Sequence, residues 1–182
     1  MLLSNMELLA TAPGGVAKLR ELILTLAVQG KLVPQDPADE PAGVLLQKIR
    51  AEKDRLIAEG KIKRDKPLAE IGDEEKPFEL PPGWEWLRLG STMEMLNGRA
   101  FKPSEWMDAG LPIVRIQNLN NPNASFNYCD PSTVVDKNRI DDGAFLISWS
   151  GTPGTSFGAF IWSRGAAALN QHIFKCVLIG RV

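Results

Sequence analysis

The sequence predicts an α+β fold, with two amphipathic helices in residues 1–75 and a β-rich region with long loops in residues 76–182. Three observations carry this. Apolar residues recur at helical spacing in two segments before Gly60. A charged stretch poor in large apolar residues follows from Lys61 to Lys76. Beyond Pro77 the apolar residues fall into short runs bounded by Gly, Pro and Asn, the pattern of strands and turns.

Val16, Leu19, Leu22, Ile23 and Leu26 lie on one helical face, with Gly14-Gly15 limiting the start and Gly30 the end. Three prolines between Val33 and Pro41 make a loop. Pro41 then suits the first position of a second helix, Ala42 to Glu59, whose apolar face is Leu45, Leu46, Ile49, Leu56 and Ile57. Lys48 and Glu52 are spaced as an i, i+4 ion pair, and Gly60 closes the helix. The stretch Lys61 to Lys76 reads as a linker. Pro81-Pro82-Gly83 makes a turn, and Trp84 to Leu89 alternates like a strand. Further strands are expected at Leu111–Gln117, Ala144–Trp149, Ala159–Trp162 and His172–Ile179, with a short helix around Ser104–Ala109. Asn118 to Asn127 and Gly151 to Gly158 read as loops.

Composition bounds the function. The 182 residues suffice for one medium domain, or a small domain with a helical appendage. No run approaches the roughly 18 apolar residues that span a membrane. Met1 to Ala12 has neither a basic n-region nor a small-residue cleavage site, so a cytoplasmic location is expected. Val182 falls inside a run that reads as a strand, which suggests a piece of a longer protein. Cys129 and Cys176 stand far apart and the chain has one His, so zinc-ligand spacing is missing. Both read as reduced thiols, one in a loop and one in a strand. Neither a metal nor a cofactor is expected. Residues 1–75 carry 11 Lys/Arg and 13 Asp/Glu, and residues 76–182 carry 10 and 9. Neither part has the basic excess of a non-specific nucleic-acid binder, so any DNA contact must rest on local patches or on partners.

Leu19 to Leu32, ending Ile23-Leu24-Thr25-Leu26-Ala27-Val28-Gln29-Gly30-Lys31-Leu32, and then Leu45 to Lys53 resemble the "ILxxAxxGKL" and "LLxKIxAEK" segments of type I restriction–modification specificity subunits. Pro82-Gly83-Trp84 with Leu89-Gly90 resembles the entry to that family's target-recognition domain, and Gly110 to Leu119 its "G-x-P-hydrophobic-x-R-x-x-N" segment. Leu146 to Thr155 and Leu169 to Ile173 resemble two later segments of the same domain. One position departs: the family commonly has Gly-Asp before the "LISWSG" run, where this chain has Gly143-Ala144 with Asp141 and Asp142 just ahead.

The resemblance implies a non-catalytic subunit that reads one half of a bipartite target in double-stranded DNA. It also implies docking to methyltransferase (M) subunits, and through them to the restriction (R) subunit. S-adenosylmethionine, ATP and magnesium would belong to those partners. The helical segment would hold the recognition domains apart and dock the methyltransferase; alternatively, such a pair of helices simply packs on its own domain.

Base edges are read by Arg on guanine and by Asn or Gln on adenine, while phosphate contacts set the register. The expected DNA-binding residues are Arg99 and Lys102 in the Gly98–Pro103 turn, and Arg115, Gln117, Asn118, Asn120 and Asn121 after the Gly110 segment. Ser150, Thr152 and Thr155 in the Gly-rich loop and Gln171 before the last strand complete the set. Each has a structural alternative. Asn in loops often serves turns, and Arg115 between Val114 and Ile116 equally suits an internal pair. Trp149 and Trp162 suit packing or base stacking, and His172 a structural hydrogen bond. Gly151-Thr152-Pro153-Gly154 lacks the Gly-Lys-Ser/Thr ending of a phosphate loop. Two other functions compete. One is a protein-interaction module without DNA contact. The other is a small β-rich hydrolase using Asp141, Asp142 and His172, although adjacent aspartates on an extended strand point to opposite sides.

Overall fold

Helix α1 spans Gly15–Val28 and α2 spans Ala42–Ala58 in the computed structural model, which describes residues 12–64, 66–152 and 155–180. The chain start, the Pro153-Gly154 pair and the chain end fall outside the described residues, as do the readings made of them. Both helices stop at a glycine with positive φ, Gly30 at 65° and Gly60 at 69°. Each end has the paired reverse hydrogen bonds that a left-handed residue permits: Gly30 N–H to Ala27 and Lys31 N–H to Leu26, then Gly60 N–H to Ile57 and Lys61 N–H to Leu56. The polar pairing differs from expectation. Lys48 reaches Glu40, and Glu52 accepts from Arg55 at 2.7 Å, because Arg55 offers a fork to Glu52 and to Glu59 at once.

The chain divides into two compact units, residues 1–88 and 89–182. In the first, Leu46 and Ile49 of α2 are buried, while Val16, Leu24 and Val28 of α1 are exposed. Residues 76–88 belong to this unit. The strand expected at Trp84–Leu89 does not form; the segment is held by side chains instead of a ladder. Trp84 Nε1 donates to Gln35 at 2.7 Å, Trp86 packs on Phe78 at 4.9 Å, and Arg88 clasps Glu75 and the Ala69 and Glu70 carbonyls.

The second unit holds two four-stranded sheets. Strands β1 (Met93–Asn97), β8 (Ile173–Leu178), β5 (Phe145–Ser148) and β6 (Gly158–Ile161) pair antiparallel in that order. The other sheet runs β3 (Asn127–Cys129), β2 (Leu111–Val114), β7 (Ala167–Leu169) and β4 (Arg139–Ile140), with β2 and β7 parallel. Val114, Ile140, Leu146, Trp162, Ala167, Leu169 and Ile173 form one core cluster, drawn from both sheets. Phe101, Leu111, Ile113, Cys129, Val134 and Ala168 form a second. β7 therefore feeds one cluster with Ala167 and Leu169 and the other with Ala168, so all three of its residues are buried and it shows no alternation. The α+β class stands as the sequence predicts.

The strand expected over Leu111–Gln117 stops at Val114, and Ile116–Asn120 turns into a short helix, α3. The cause is local: Asn118 Oδ1 accepts the Arg115 N–H at 3.0 Å, taking the backbone away from the ladder. The short helix expected near Ser104 is one 3₁₀ turn, Pro103–Glu105. Cys129, expected in a loop, ends β3, and both cysteines are buried free thiols.

Where one sheet gives way to the other, the backbone of Gly98 passes very close to Leu169 and Asn170. A Cβ added at Gly98 would lie 2.2 Å from the Asn170 carbonyl oxygen and 2.4 Å from that of Leu169. Both neighbours are backbone and cannot swing aside. Gly98→Ala is expected to lower stability by at least about 1–3 kcal/mol, as overpacking does. The midpoint of urea unfolding checks this, and an unchanged midpoint would contradict it.

Candidate nucleic-acid interface

The loops that carry the sequence-predicted residues meet at one place, the crossing from β7 to β8. Arg99 N–H donates to Leu169 O at 3.0 Å, Asn170 N–H to Val114 O at 3.1 Å, and Gly98 N–H to Ile173 O at 3.1 Å. Trp149 N–H donates to His172 O at 3.2 Å, and its indole N–H to Asn97 Oδ1 at 3.2 Å. The Arg99 turn, the Arg115 segment, the loop starting at Trp149 and Gln171 are thereby tied to a common backbone junction.

The candidates divide by what their side chains already hold. Arg99 pairs with Glu105 at 2.7 Å and lies over the Phe101 ring at 3.8 Å, with its buried Nε unpartnered. Arg115 donates to Asn127 Oδ1 at 2.9 Å and faces the Trp106 ring at 5.8 Å. Asn118 is 1% exposed; besides accepting from Arg115, its amide donates to the Ala124 and Ser125 carbonyls at 3.3 and 3.1 Å. These three shape the loops.

Lys102, Gln117, Asn120, Asn121, Thr152, Thr155 and Gln171 are exposed, and Ser150 is half-buried. Some still serve their own turns. Asn120 donates to Ile116 O, and Asn121 Oδ1 accepts the Asn123 N–H at 2.9 Å, a side-chain-closed turn. Thr152 O accepts the Thr155 and Ser156 N–H groups at 3.2 and 2.9 Å. Gln171 Nε2 lies 3.2 Å from His172 Nε2, whose buried Nδ1 has no partner.

The sequence left the two tryptophans open between packing and base stacking, and it did not single out Arg164. Trp149 sits at the rim, 40% exposed, in edge contact with His172 at 5.5 Å and tilted against Phe174 at 5.7 Å. Trp162 is core, 2% exposed. Arg164 gave no sequence signal beyond a basic residue beside a Gly, yet its guanidinium meets two aromatic rings and two carbonyls of the Asn118 segment. The aspartates considered for hydrolysis are turn residues: Asp142 Oδ1 accepts the Gly165 N–H at 2.7 Å, and Asp141 O accepts the Ala144 N–H. Among the described residues no group of three or more His, Cys, Asp or Glu is placed to hold a metal, and no helix is long and apolar enough to cross a membrane.

Of the cations in this unit, Arg139 and Lys175 are also turned inward, to the Val134, Pro131 and Arg139 carbonyls. Among the described residues, Lys102 and Lys137 are its exposed cations outside any salt bridge, with Glu105 acting on Lys102 only through its charge. The surface is polar and close to neutral, suited to reading donors and acceptors and poorly suited to gripping phosphate by charge.

No protein-family model matches the chain. It is 57% identical over 116 residues to the "Type I restriction enzyme EcoAI specificity subunit" of Escherichia coli, covering 63% of this chain and 20% of that protein. It is 67% identical over 75 residues to the EcoEI specificity subunit of the same organism, covering 41% of this chain and 13% of that one. Over the matched stretch the chain is similar to type I restriction enzyme specificity subunits. It spans about a fifth or less of these relatives' length. Two solved structures also align. One, from work on complex assembly and conformational transition of the type I R-M system, has TM-score 0.45 and 19% identity over 92% of this chain and 36% of that one. The other, the HsdS subunit from Thermoanaerobacter tengcongensis, has TM-score 0.42 and 19% identity over 77% and 35%.

Glu105 holds the Lys102 turn. It accepts the Lys102 N–H at 2.8 Å and pairs with Arg99, and these two contacts, the backbone one first, keep its carboxyl below the usual carboxylate range. A lowered folded-state pKa means the contact supports the fold above the unfolded pKa and is lost as pH falls through the folded one. In a carboxyl-carbon NMR titration the Glu105 midpoint is expected below that of free glutamate, about 4.3. A midpoint at or above that value would contradict the arrangement.

Proposed function

We propose that the chain forms part of the DNA-reading subunit of a type I restriction–modification assembly. Its second unit reads one half of a bipartite double-stranded target, and its helical unit docks the methyltransferase subunits and, through them, the restriction subunit. It carries out no chemistry and holds no cofactor of its own. The observation that carries this is the 57% identity over 116 residues to a protein named as a specificity subunit.

Two features of the molecule support the division of labour. The exposed donors and acceptors, Lys102, Gln117, Asn120, Asn121, Thr152, Thr155 and Gln171 with half-buried Ser150, sit on loops and the short helix α3 tied to the same junction, as base reading needs. Arg99, Arg115 and Asn118 brace those loops from within. The apolar residues Val16, Leu24 and Val28 on α1 are 60%, 59% and 62% exposed, a surface that suits helix docking. With few unpaired cations among the described residues of the second unit, most phosphate neutralisation falls to the partners. A cytoplasmic location accords with this role.

The test is an adenine-methylation map of cells with and without the full-length gene. Deletion is expected to abolish methylation at one bipartite motif. An unchanged map in cells that express an intact partner methyltransferase would overturn the reading and leave an interaction module as the better account.

A further inference from the structure

The α3 segment contains a carbonyl that its own sequence cannot satisfy. In a continuing helix the Asn118 C=O would accept the N–H of residue 122, but residue 122 is proline and has none. The last helical bond is Asn121 N–H to Gln117 O, at 2.9 Å. Arg164 supplies the missing donor from across the fold: its Nη2 donates to Asn118 O, and its Nη1 to Pro122 O at 3.4 Å.

Arg164 is itself tightly placed. Its guanidinium lies 4.5 Å from the Trp162 ring centre and 5.1 Å from that of Phe126, two rings packed edge to face at 6.3 Å. The turn that carries it is closed by Trp162 Nε1 donating to Gly165 O at 2.6 Å and by Gly165 N–H donating to Asp142. The Asp141-Asp142 end of that turn is fixed by Gly143 N–H to Trp162 O at 2.8 Å. Asn118 closes the segment from inside and Arg164 closes it at the carbonyl end, while Gln117, Asn120 and Asn121 remain exposed between them.

We propose that Arg164 is a positioning residue for base discrimination, standing in for the N–H that Pro122 lacks and so fixing the segment that presents Gln117, Asn120 and Asn121. This rests on the DNA-reading role proposed above. Lysine cannot replace it, because the role needs a planar group that stacks on rings while donating two directed hydrogen bonds. With two N–H groups directed at those carbonyls and its guanidinium set against the rings, Arg164 acts on sequence preference through the segment and not through a phosphate contact.

The test uses the full-length subunit assembled with its methyltransferase partner and a library of randomised duplexes, with base preference and salt dependence as readouts. Arg164→Ala and Arg164→Lys are both expected to lower discrimination at the bases this segment reads by on the order of tenfold. The slope of log affinity against log salt is expected to stay unchanged. Added to the triple variant Gln117→Ala, Asn120→Ala, Asn121→Ala, Arg164→Ala should cost no further preference, because both act through one segment. Full recovery by lysine, or a salt slope reduced by about one in Arg164→Ala, would make Arg164 a phosphate contact and overturn the proposal. Fully additive losses would overturn it too, as would a triple variant that loses preference while Arg164→Ala keeps it. A triple variant with unchanged preference would remove this segment from the DNA-reading surface, and the role of Arg164 with it.

Discussion

Between Leu169 and Ile173 the chain leaves one sheet and enters the other, and the backbone hydrogen bonds made there hold the candidate surface together. Arg99 N–H on Leu169 O, Asn170 N–H on Val114 O and Gly98 N–H on Ile173 O join segments distant in sequence. Because β7 is buried on both faces, the crossing cannot shift without disturbing both core clusters. Rigid sheets thus end in irregular loops at a fixed junction, the usual way a scaffold positions polar contacts.

The same junction separates two kinds of polar residue. Arg99, Arg115, Asn118 and Arg164 use their hydrogen-bonding capacity within the unit, and each ties a loop to a strand, a ring or a carbonyl. Gln117, Thr152 and Gln171 are exposed on the loops so tied. Fixing a loop before it binds removes ordering entropy from the cost of association. In the proposed DNA-reading role, a unit with few free cations depends on this more than a basic protein would, since it has little sequence-independent attraction to draw on.

Much of the fold was legible in the residues. The helical spacing of Leu19 and Leu26, and the glycines at 30 and 60, place α1 and α2 within a residue or two of their observed ends. The strands β5, β6 and β8 follow from short apolar runs set between turn-forming residues. What failed did so for local or tertiary reasons. Trp84 to Leu89 alternates, but its side chains found Gln35, Phe78 and Glu75 instead of a neighbouring strand. The three-residue β3 and β7 and the two-residue β4 are too short for periodicity to register, and β7 is buried on both sides. At the candidate surface, residue type identified polar loops but not which side chains are spent internally. Asn118 and Asn121 look alike in sequence, yet one is buried with its amide fully engaged and the other is exposed.

The central claim is that one face of the second unit, the loops gathered at the β7–β8 crossing, meets DNA. Hydrogen exchange of the assembled full-length subunit, with and without a duplex bearing its methylation motif, tests it most directly. Amides of residues 98–102, 117–121, 150–152, 155–156 and 171 are expected to slow on binding. Protection confined to α1 and α2, with those loops exchanging as before, would contradict the account.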